Sequence, residues 1–230
     1  MGSAKGNSSV ANTSASPTPR RMSKDLRRNR EQRQKVFEAI AKVISSQGPG
    51  IVTMDNIAAK MGGSKGTIYY YFKSKGDMLY QMQMYAYDLV HEAVYPILDD
   101  KTIPPRERLE RTIYSQALVM CNNWQLWRAM WMDVAIPHEL NRVLKRRRTY
   151  YERRLTELVE EVIQTEGWRC IEPKTVARVI TGLLDSISRW YKKGGRFSAE
   201  EIAALAVKSA LYGPFEWDRD LRHSPESKAF

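Results

Sequence analysis

Residues 53–79 read TMDNIAAKMGGSKGTIYYYFKSKGDML and contain two short helical segments on either side of a glycine pair. Thr53 offers an N-cap hydroxyl to the first segment, and Gly62 or Gly63 supplies the positive φ that ends it. Ser64 then caps the second segment. Two short helices joined by such a turn predict a helix-turn-helix, whose second helix enters the major groove of DNA.

The tyrosine-rich run in the second helix has two faces. Ile68 and Phe72 are four residues apart and should pack inward. This leaves Tyr69 and Tyr70 toward the groove walls, where their hydroxyls suit phosphate oxygens. The alternative is that the whole aromatic run is core.

The remaining contacts follow from side-chain chemistry at helix starts. Lys65 can reach guanine acceptors, and Gly66 permits close approach of the backbone. Ser74, followed three residues later by Asp77, predicts a capped helix start at which Lys75 forms a phosphate clamp. We therefore expect DNA contacts from Thr53, Ser64, Lys65, Gly66, Thr67, Tyr69, Tyr70 and Lys75.

Positive charge is concentrated at the N-terminus. The chain has a formal net charge of +11, and residues 1–35 carry nine basic and two acidic residues. Such an end suits DNA, RNA or anionic lipid. In the context of the helix-turn-helix we expect Arg27 and Arg28 to contact the minor groove or phosphates, with a solvated charge run as the alternative.

Several function classes lack their residue patterns. The two cysteines and three histidines show no spacing typical of a metal site or a catalytic triad, and no apolar run approaches 18 residues. We therefore expect no enzyme activity, no cofactor, no metal and no membrane association, and a location in the cytoplasm.

Beyond residue 78 the apolar spacing stays helical, with breaks at prolines and glycines. The first head helix is predicted over 32–47, and the later helices near 105–122, 123–133, 138–166, 173–192 and 198–212. The sequence predicts an all-α chain with a basic arm (1–28), a three-helix DNA-binding domain (29–77), a helical ligand-binding and dimerisation domain (78–214) and a polar tail (215–230).

Two apolar stripes in this second domain are candidate ligand walls. Met120, Trp124, Trp127 and Trp131 form one stripe of a helix or a helix pair, a pattern that suits ordinary core or a pocket for bulky apolar ligands. Other candidates lie on the helix over 138–166.

Arg148 and Tyr151 lie on the inward stripe of that helix, between Leu144 and Leu155. An arginine on an apolar stripe requires an anion or a path to water. The anion could be Asp133, Asp185, or a phosphate or carboxylate of a ligand. The sequence leaves these alternatives open.

The last two helices have apolar and small residues at close-packing positions, which suits a four-helix interface between two copies of the chain. On the first helix these are Val176, Ile180, Leu183, Leu184 and Ile187, and on the second Ile202, Ala203, Ala206 and Ala210.

The segment 53–79 resembles the N-terminal signature of the TetR family of bacterial transcriptional regulators. The resemblance is carried by Gly62, by 64–70 (SKGTIYY), by 72–75 (FKSK) and by Leu79. It implies a homodimeric, all-helical repressor whose head binds a palindromic DNA operator. It further implies a body that binds a small effector which releases the DNA, in a bacterial, nucleoid-associated protein.

The segment 182–198, GLLDSISRWYKKGGRFS, resembles a TetR subgroup that senses acyl-CoA thioesters. This resemblance implies that Trp190 and the Met/Trp stripe contact the acyl or ring portion, and that the arginines contact nucleotide phosphates. Two alternatives remain, a sensor of uncharged aromatic drugs and a DNA-binding architectural protein without an effector.

Overall fold

The computed structural model describes residues 34–44, 46, 53–60, 62, 65–129, 136–168 and 172–212, with the backbone but not the side chains of residues 65 and 67. By its contacts the chain divides into two units, Met1–Val36 and Phe37–Phe230, and the contacts below lie within the second.

Regular structure in the described ranges is entirely helical, as predicted. The helices are α1 (residues 34–44), α2 (Met54–Lys60), α3 (Lys65–Tyr71), α4 (Lys75–Asp99), α5 (Pro105–Asn122), α6 (Trp124–Ala129), α7 (His138–Glu166), α8 (Pro173–Trp190) and α9 (Ala199–Tyr212). None of these helices has the length and apolar character that a membrane crossing needs.

Helices α1 to α3 form the head, in which each helix buries isoleucine almost completely: Ile40 and Ile44 on α1, Ile57 on α2 and Ile68 on α3. Gly62, between α2 and α3, has φ 67°, the left-handed conformation that glycine adopts without a steric penalty. The expected tight turn is therefore present.

The start of α4 is fixed by side-chain caps. Ser74 Oγ accepts the Asp77 N–H at 3.1 Å, and Asp77 Oδ2 accepts the Lys73 N–H at 2.9 Å. Gln81 Nε2 also donates to the Tyr71 carbonyl oxygen at 3.4 Å. These bonds satisfy N–H groups that a helix start leaves unpaired, and they fasten the last residue of α3 to α4.

Helix α5 is the centre of the body (α4 to α9) and packs against α4, α7, α8 and α9. Its Ile113, Ala117 and Met120 are completely buried. The stripe predicted on α7 is present, since Leu144 and Leu155 are buried. Burial of each such aliphatic side chain contributes roughly 1.5–3 kcal/mol to folding.

A buried ion pair joins α5 to α7. The side chain of Arg108 is 1% exposed and pairs with Glu161, which also pairs with Lys101. Arg108 Nη1 donates to the carbonyl oxygen of Asp100, the C-cap of α4, at 3.4 Å. Burial alone would raise the pKa of Glu161, but hydrogen bonds from Lys101 and Arg108 lower it.

The predicted break after residue 122 is present. Met120 and Trp127 lie on successive helices, because the chain turns at Asn123, whose side-chain amide donates to the Val119 carbonyl at 2.9 Å. The expectation for α8 and α9 needs correction. The residues assigned to a dimer interface mostly pack inside one chain: Ile180, Leu184, Ile187, Ile202, Ala203 and Ala206 are all buried. Each of these helices also turns an aliphatic residue outward: Val179 on α8 and Leu205 on α9 have 67% and 50% of their surface exposed.

Candidate nucleic-acid interface and internal cavity

The outer face of α3 carries two exposed aromatic side chains. Tyr69 and Tyr70 keep 46% and 84% of their surface exposed, whereas Ile68 and Phe72 are buried. The ring of Phe72 lies 6.0 Å from that of Phe37, which holds the inner face of α3 against α1. The outer face can therefore meet a partner without disturbing the head core.

The start of α2 lies in the same head. Thr53 Oγ1 accepts the Asn56 N–H at 3.1 Å, as expected of an N-cap, and Thr53 is exposed. A hydroxyl that accepts a hydrogen bond still has its own proton to donate. Thr53 can thus cap α2 and donate to a phosphate oxygen at the same time.

The start of α4 presents two lysines, exposed Lys73 and half-buried Lys75. Lys73 was not singled out from the sequence, although it precedes the cap residue Ser74 and adds a second cation to the same turn. Cations beside free helix N–H groups suit a phosphate.

The other predicted DNA contacts are described only in part. Gly66 is exposed on α3, and Lys65 and Thr67 lie in its first turn, with side chains outside the description. Ser64, Arg27 and Arg28 lie outside the described residues.

The body contains a partly open cavity of about 630 Å³ between α4, α5, α6, α7 and α8. This volume is in the range of small-molecule binding sites. The described lining residues are Gln83, Tyr87, Val90, His91, Tyr95, Gln116, Trp127, Arg146, Arg147, Arg148, Tyr150, Tyr151, Glu152, Thr181, Asp185 and Ser188.

One wall of the cavity is aromatic. Tyr95 lies against the rings of His91, Tyr150 and Tyr151 at centroid distances of 4.3, 5.9 and 6.2 Å. Tyr151 donates its hydroxyl hydrogen to Gln116 on α5. Burial raises the pKa of Tyr95 to about 12 and also raises that of Tyr151, so both hydroxyls remain neutral donors.

Another part of the cavity wall carries charged side chains. Arg146, Arg147 and Arg148 all line the cavity, and Arg147 pairs with Asp88 at 2.5 Å. Asp185 faces the same space, where loss of water raises its pKa while Arg148 and Arg189 act to lower it. Asp185, one of the anions considered for Arg148, thus interacts with it electrostatically. The side chain of Arg148 is exposed, however, so the predicted path to water is present as well.

The cavity brings together part of the predicted ligand set. Trp127, Arg148 and Tyr151 line it. Three other predicted residues are not among the described lining residues. Met120 is completely buried, Trp124 is half-buried, and Trp190 at the end of α8 is 53% exposed. Trp131 lies outside the described residues.

Sequence reasoning missed the contribution of α4. Gln83, Tyr87, His91 and Tyr95 line the cavity and recur at intervals of four residues, so they share one face of this helix. This spacing could have identified the cavity-facing side of α4. It was overlooked because the stripe mixes aromatic and polar residues and so does not stand out as an apolar face.

Comparison with known proteins gave two family matches. The model for bacterial regulatory proteins of the tetR family matches residues 36–82, and the model for a tetracyclin repressor-like C-terminal domain matches residues 102–213. No curated protein matches the sequence.

Solved structures share the fold. The TetR family regulator PfmR from Thermus thermophilus is 22% identical with a TM-score of 0.70, and the match covers 77% of this chain and 97% of PfmR. A tetR family regulatory protein from Rhodococcus RHA1 is also 22% identical, with a TM-score of 0.70 and coverage of 80% and 97%.

A third structure was determined with ligands. AibR in complex with isovaleryl coenzyme A and operator DNA is 25% identical to this chain, with a TM-score of 0.67, and the match covers 79% of this chain and 98% of AibR.

Proposed function

This chain belongs to the TetR family of bacterial regulators, which are DNA-binding transcription factors and not enzymes, and on that premise we propose that it is a ligand-responsive repressor. It binds a palindromic operator as a homodimer in the bacterial cytoplasm. A small effector with an apolar and an anionic part, such as an acyl-CoA thioester, releases it.

The proposed division of the chain follows the sequence. Residues 1–28 are a basic arm, 29–77 the DNA-binding domain, 78–214 the ligand-binding and dimerisation domain and 215–230 a polar tail. On the operator, Lys65, Gly66 and Thr67 approach base edges, whereas the tyrosines of α3, Thr53 and Lys75 contact phosphates. Ser64, Arg27 and Arg28 complete the proposed contact set.

The cavity carries the effector proposal. Its walls combine Trp127 and a cluster of tyrosines with three consecutive arginines of α7, residues 146–148. An apolar chain gains free energy by burial against the rings, and a phosphate gains it from the guanidinium groups. The AibR complex, 25% identical, shows that a protein of this fold is compatible with a CoA thioester.

Fluorescence anisotropy tests this function. The protein is bound to labelled DNA from upstream of its own gene and titrated at fixed salt with acyl-CoA thioesters of increasing chain length. We expect release by at least one thioester and none by free CoA. Tight DNA binding that no thioester disturbs would remove the acyl-CoA proposal and leave the DNA-binding role intact.

Two variants show whether the cavity is the effector site. Trp127→Phe reduces apolar contact inside the cavity and should raise the thioester concentration needed for release. Trp190→Phe is the matched control, because Trp190 is half exposed and is not part of the described cavity wall. Equal effects of both variants, or an effect of the control alone, contradict the proposed site.

A sensor of uncharged aromatic drugs is the second candidate, and Asp185 favours it, because its carboxylate can neutralise Arg148 within the cavity. Arg148→Ala separates the two readings: an anionic effector loses affinity, whereas an uncharged one does not. An effector-free architectural protein would have a solid body, and the 630 Å³ cavity argues against it.

A further inference from the structure

A second concave surface lies on the outer side of α7. This basic groove has a volume of about 480 Å³ and is lined by Arg142, Lys145, Arg146, Thr149, Tyr150 and Arg153. The lining residues recur at steps of three and four, so they form one face of α7. Four of the six carry a positive charge.

The positive charge of the groove is largely uncompensated. Arg153 lies 3.7 Å from Glu157, too far for a strong hydrogen bond. No acidic side chain in the described part of the chain forms an ion pair with Arg142, Lys145 or Arg146. Like charges held together on one helix face repel each other, and a bound polyanion relieves that repulsion.

The groove adjoins the cavity. Arg146 and Tyr150 line both spaces. The ring of Tyr150 stacks on Tyr95 of the cavity wall. The guanidinium carbon of Arg153 lies over the Tyr150 ring, 5.2 Å from its centroid. Arg154 Nη1 also donates to the Tyr150 hydroxyl at 3.4 Å. Tyr150 therefore forms the partition between an aromatic space and a cationic one.

We propose that the basic groove holds the phosphate groups of the effector, while its apolar part passes the partition at Tyr150 and fills the cavity. This inference rests on the proposed function and extends its phosphate-binding arginines outward from the cavity into the groove, since Arg146 lines both spaces. Guanidinium groups suit phosphate because they donate two parallel hydrogen bonds to it.

Isothermal titration of the full-length protein with three probes tests the groove: an acyl-CoA, the acyl-pantetheine of the same chain length, which lacks phosphate, and 3′,5′-ADP. We expect the acyl-CoA to bind at least tenfold more tightly than the acyl-pantetheine. The double variant Arg142→Ala/Arg153→Ala should weaken acyl-CoA binding by about tenfold or more and leave acyl-pantetheine binding unchanged.

Two control variants separate the effect of the groove cations from that of the protein's overall positive charge. Lys192→Ala/Lys193→Ala removes two exposed cations from the loop after α8 and should leave all three affinities unchanged. Arg142→Lys/Arg153→Lys keeps the charges and should retain most of the acyl-CoA affinity. Equal affinity for acyl-CoA and acyl-pantetheine, or equal weakening of both by the alanine variant, overturns the inference.

The 3′,5′-ADP arm distinguishes failure of the groove from failure of the acyl-CoA proposal. If no thioester binds but 3′,5′-ADP binds the wild type and not the alanine variant, the groove stands as a phosphate site for another ligand. If neither a thioester nor 3′,5′-ADP binds the wild type, the groove is not a phosphate site.

Discussion

The ring of Tyr150 on α7 stacks on the ring of Tyr95 on α4, with centroids 5.9 Å apart and 8° between the ring planes. Helix α4 begins directly after the DNA-binding head, so this ring pair links α7 to the helix that follows the head. The energy of the contact between the two rings can be measured.

A double-mutant cycle should give the pair a favourable coupling. Tyr95→Leu and Tyr150→Leu each remove one ring, and stacked aromatic pairs contribute about 0.5–1.5 kcal/mol beyond their buried area. The free energy of unfolding in urea, measured for both single variants and the double variant, gives the coupling. Strictly additive losses would show that the rings do not stabilise the fold as a pair.

The two classes of DNA contact should respond differently to substitution. Tyr69→Phe should weaken operator binding by about two- to tenfold, the value of one hydrogen bond. Lys75→Ala should weaken binding to every DNA sequence. It should also lower the slope of log binding constant against log salt concentration by about 1. Lys65→Ala should instead relax the preference at particular base pairs. Binding to a set of single-base operator variants provides the measurement, and uniform losses from all three would contradict this division.

Ser74 should matter to stability and to DNA binding through separate properties. Ser74→Ala removes the cap on Asp77 N–H and should cost about 1 kcal/mol in the free energy of unfolding. Ser74→Asp keeps a capping oxygen but places a negative charge beside Lys73 and Lys75, the lysines proposed to face a phosphate. This variant should therefore unfold like the wild type in urea and bind DNA less tightly.

The homodimer should form through the outward faces of α8 and α9. Val179 exposes most of its surface, and a Cβ added to nearby Gly182 would meet no atom within 4 Å, so a second helix can approach closely there. Val179→Asp should shift the protein to a monomer in analytical ultracentrifugation. Val143→Asp on α7 is the matched control, and a dimer that survives Val179→Asp places the interface elsewhere.

Stability should fall in acid because of Glu161. The pKa of this carboxyl is lowered below its ordinary value of 4.5 in the folded protein, so its contribution is present above pH 4.5 and lost as the pH falls through the folded pKa. Glu161→Gln leaves the Arg108 charge buried without its partner.

We expect this variant to lose about 2–3 kcal/mol at pH 7, less than a fully enclosed pair because Glu161 is one-third exposed. Urea unfolding of both proteins from pH 7 to pH 3 measures the difference, which should narrow toward pH 3. A difference that stays constant over this range would show that Glu161 ionisation contributes no stability.

Much of the fold could be predicted because this chain marks its helix ends clearly. Prolines, glycines and capping serines gave the bounds of α5, α7, α8 and α9 to within two residues. The break between α5 and α6 was predicted after residue 122 and lies there, although no proline or glycine marks it.

The faces of α8 and α9 illustrate what periodicity leaves open. The spacing of Ile180, Leu184 and Ile187 identifies a buried face, and these residues are buried. Periodicity does not say whether the covering surface belongs to the same chain or to a second one. The cavity residues on α4 were missed because tyrosines such as Tyr87 and Tyr95 occur both at the surface and in the interior, so their spacing alone does not identify a cavity wall.

Helix α4 spans 25 residues and ends at Asp99, and the carbonyl of its C-cap residue Asp100 accepts a hydrogen bond from Arg108. At 1.5 Å per residue its length is about 37 Å, with the cavity along the middle and the head at the far end. A tilt of about 5° around the Asp100 end displaces Lys75 by about 3 Å, close to the 3.4 Å rise of one base pair. Under the proposed function we expect α4 to act as a lever, in which an ångström-scale adjustment around an effector becomes a one-base-pair error of fit on the operator.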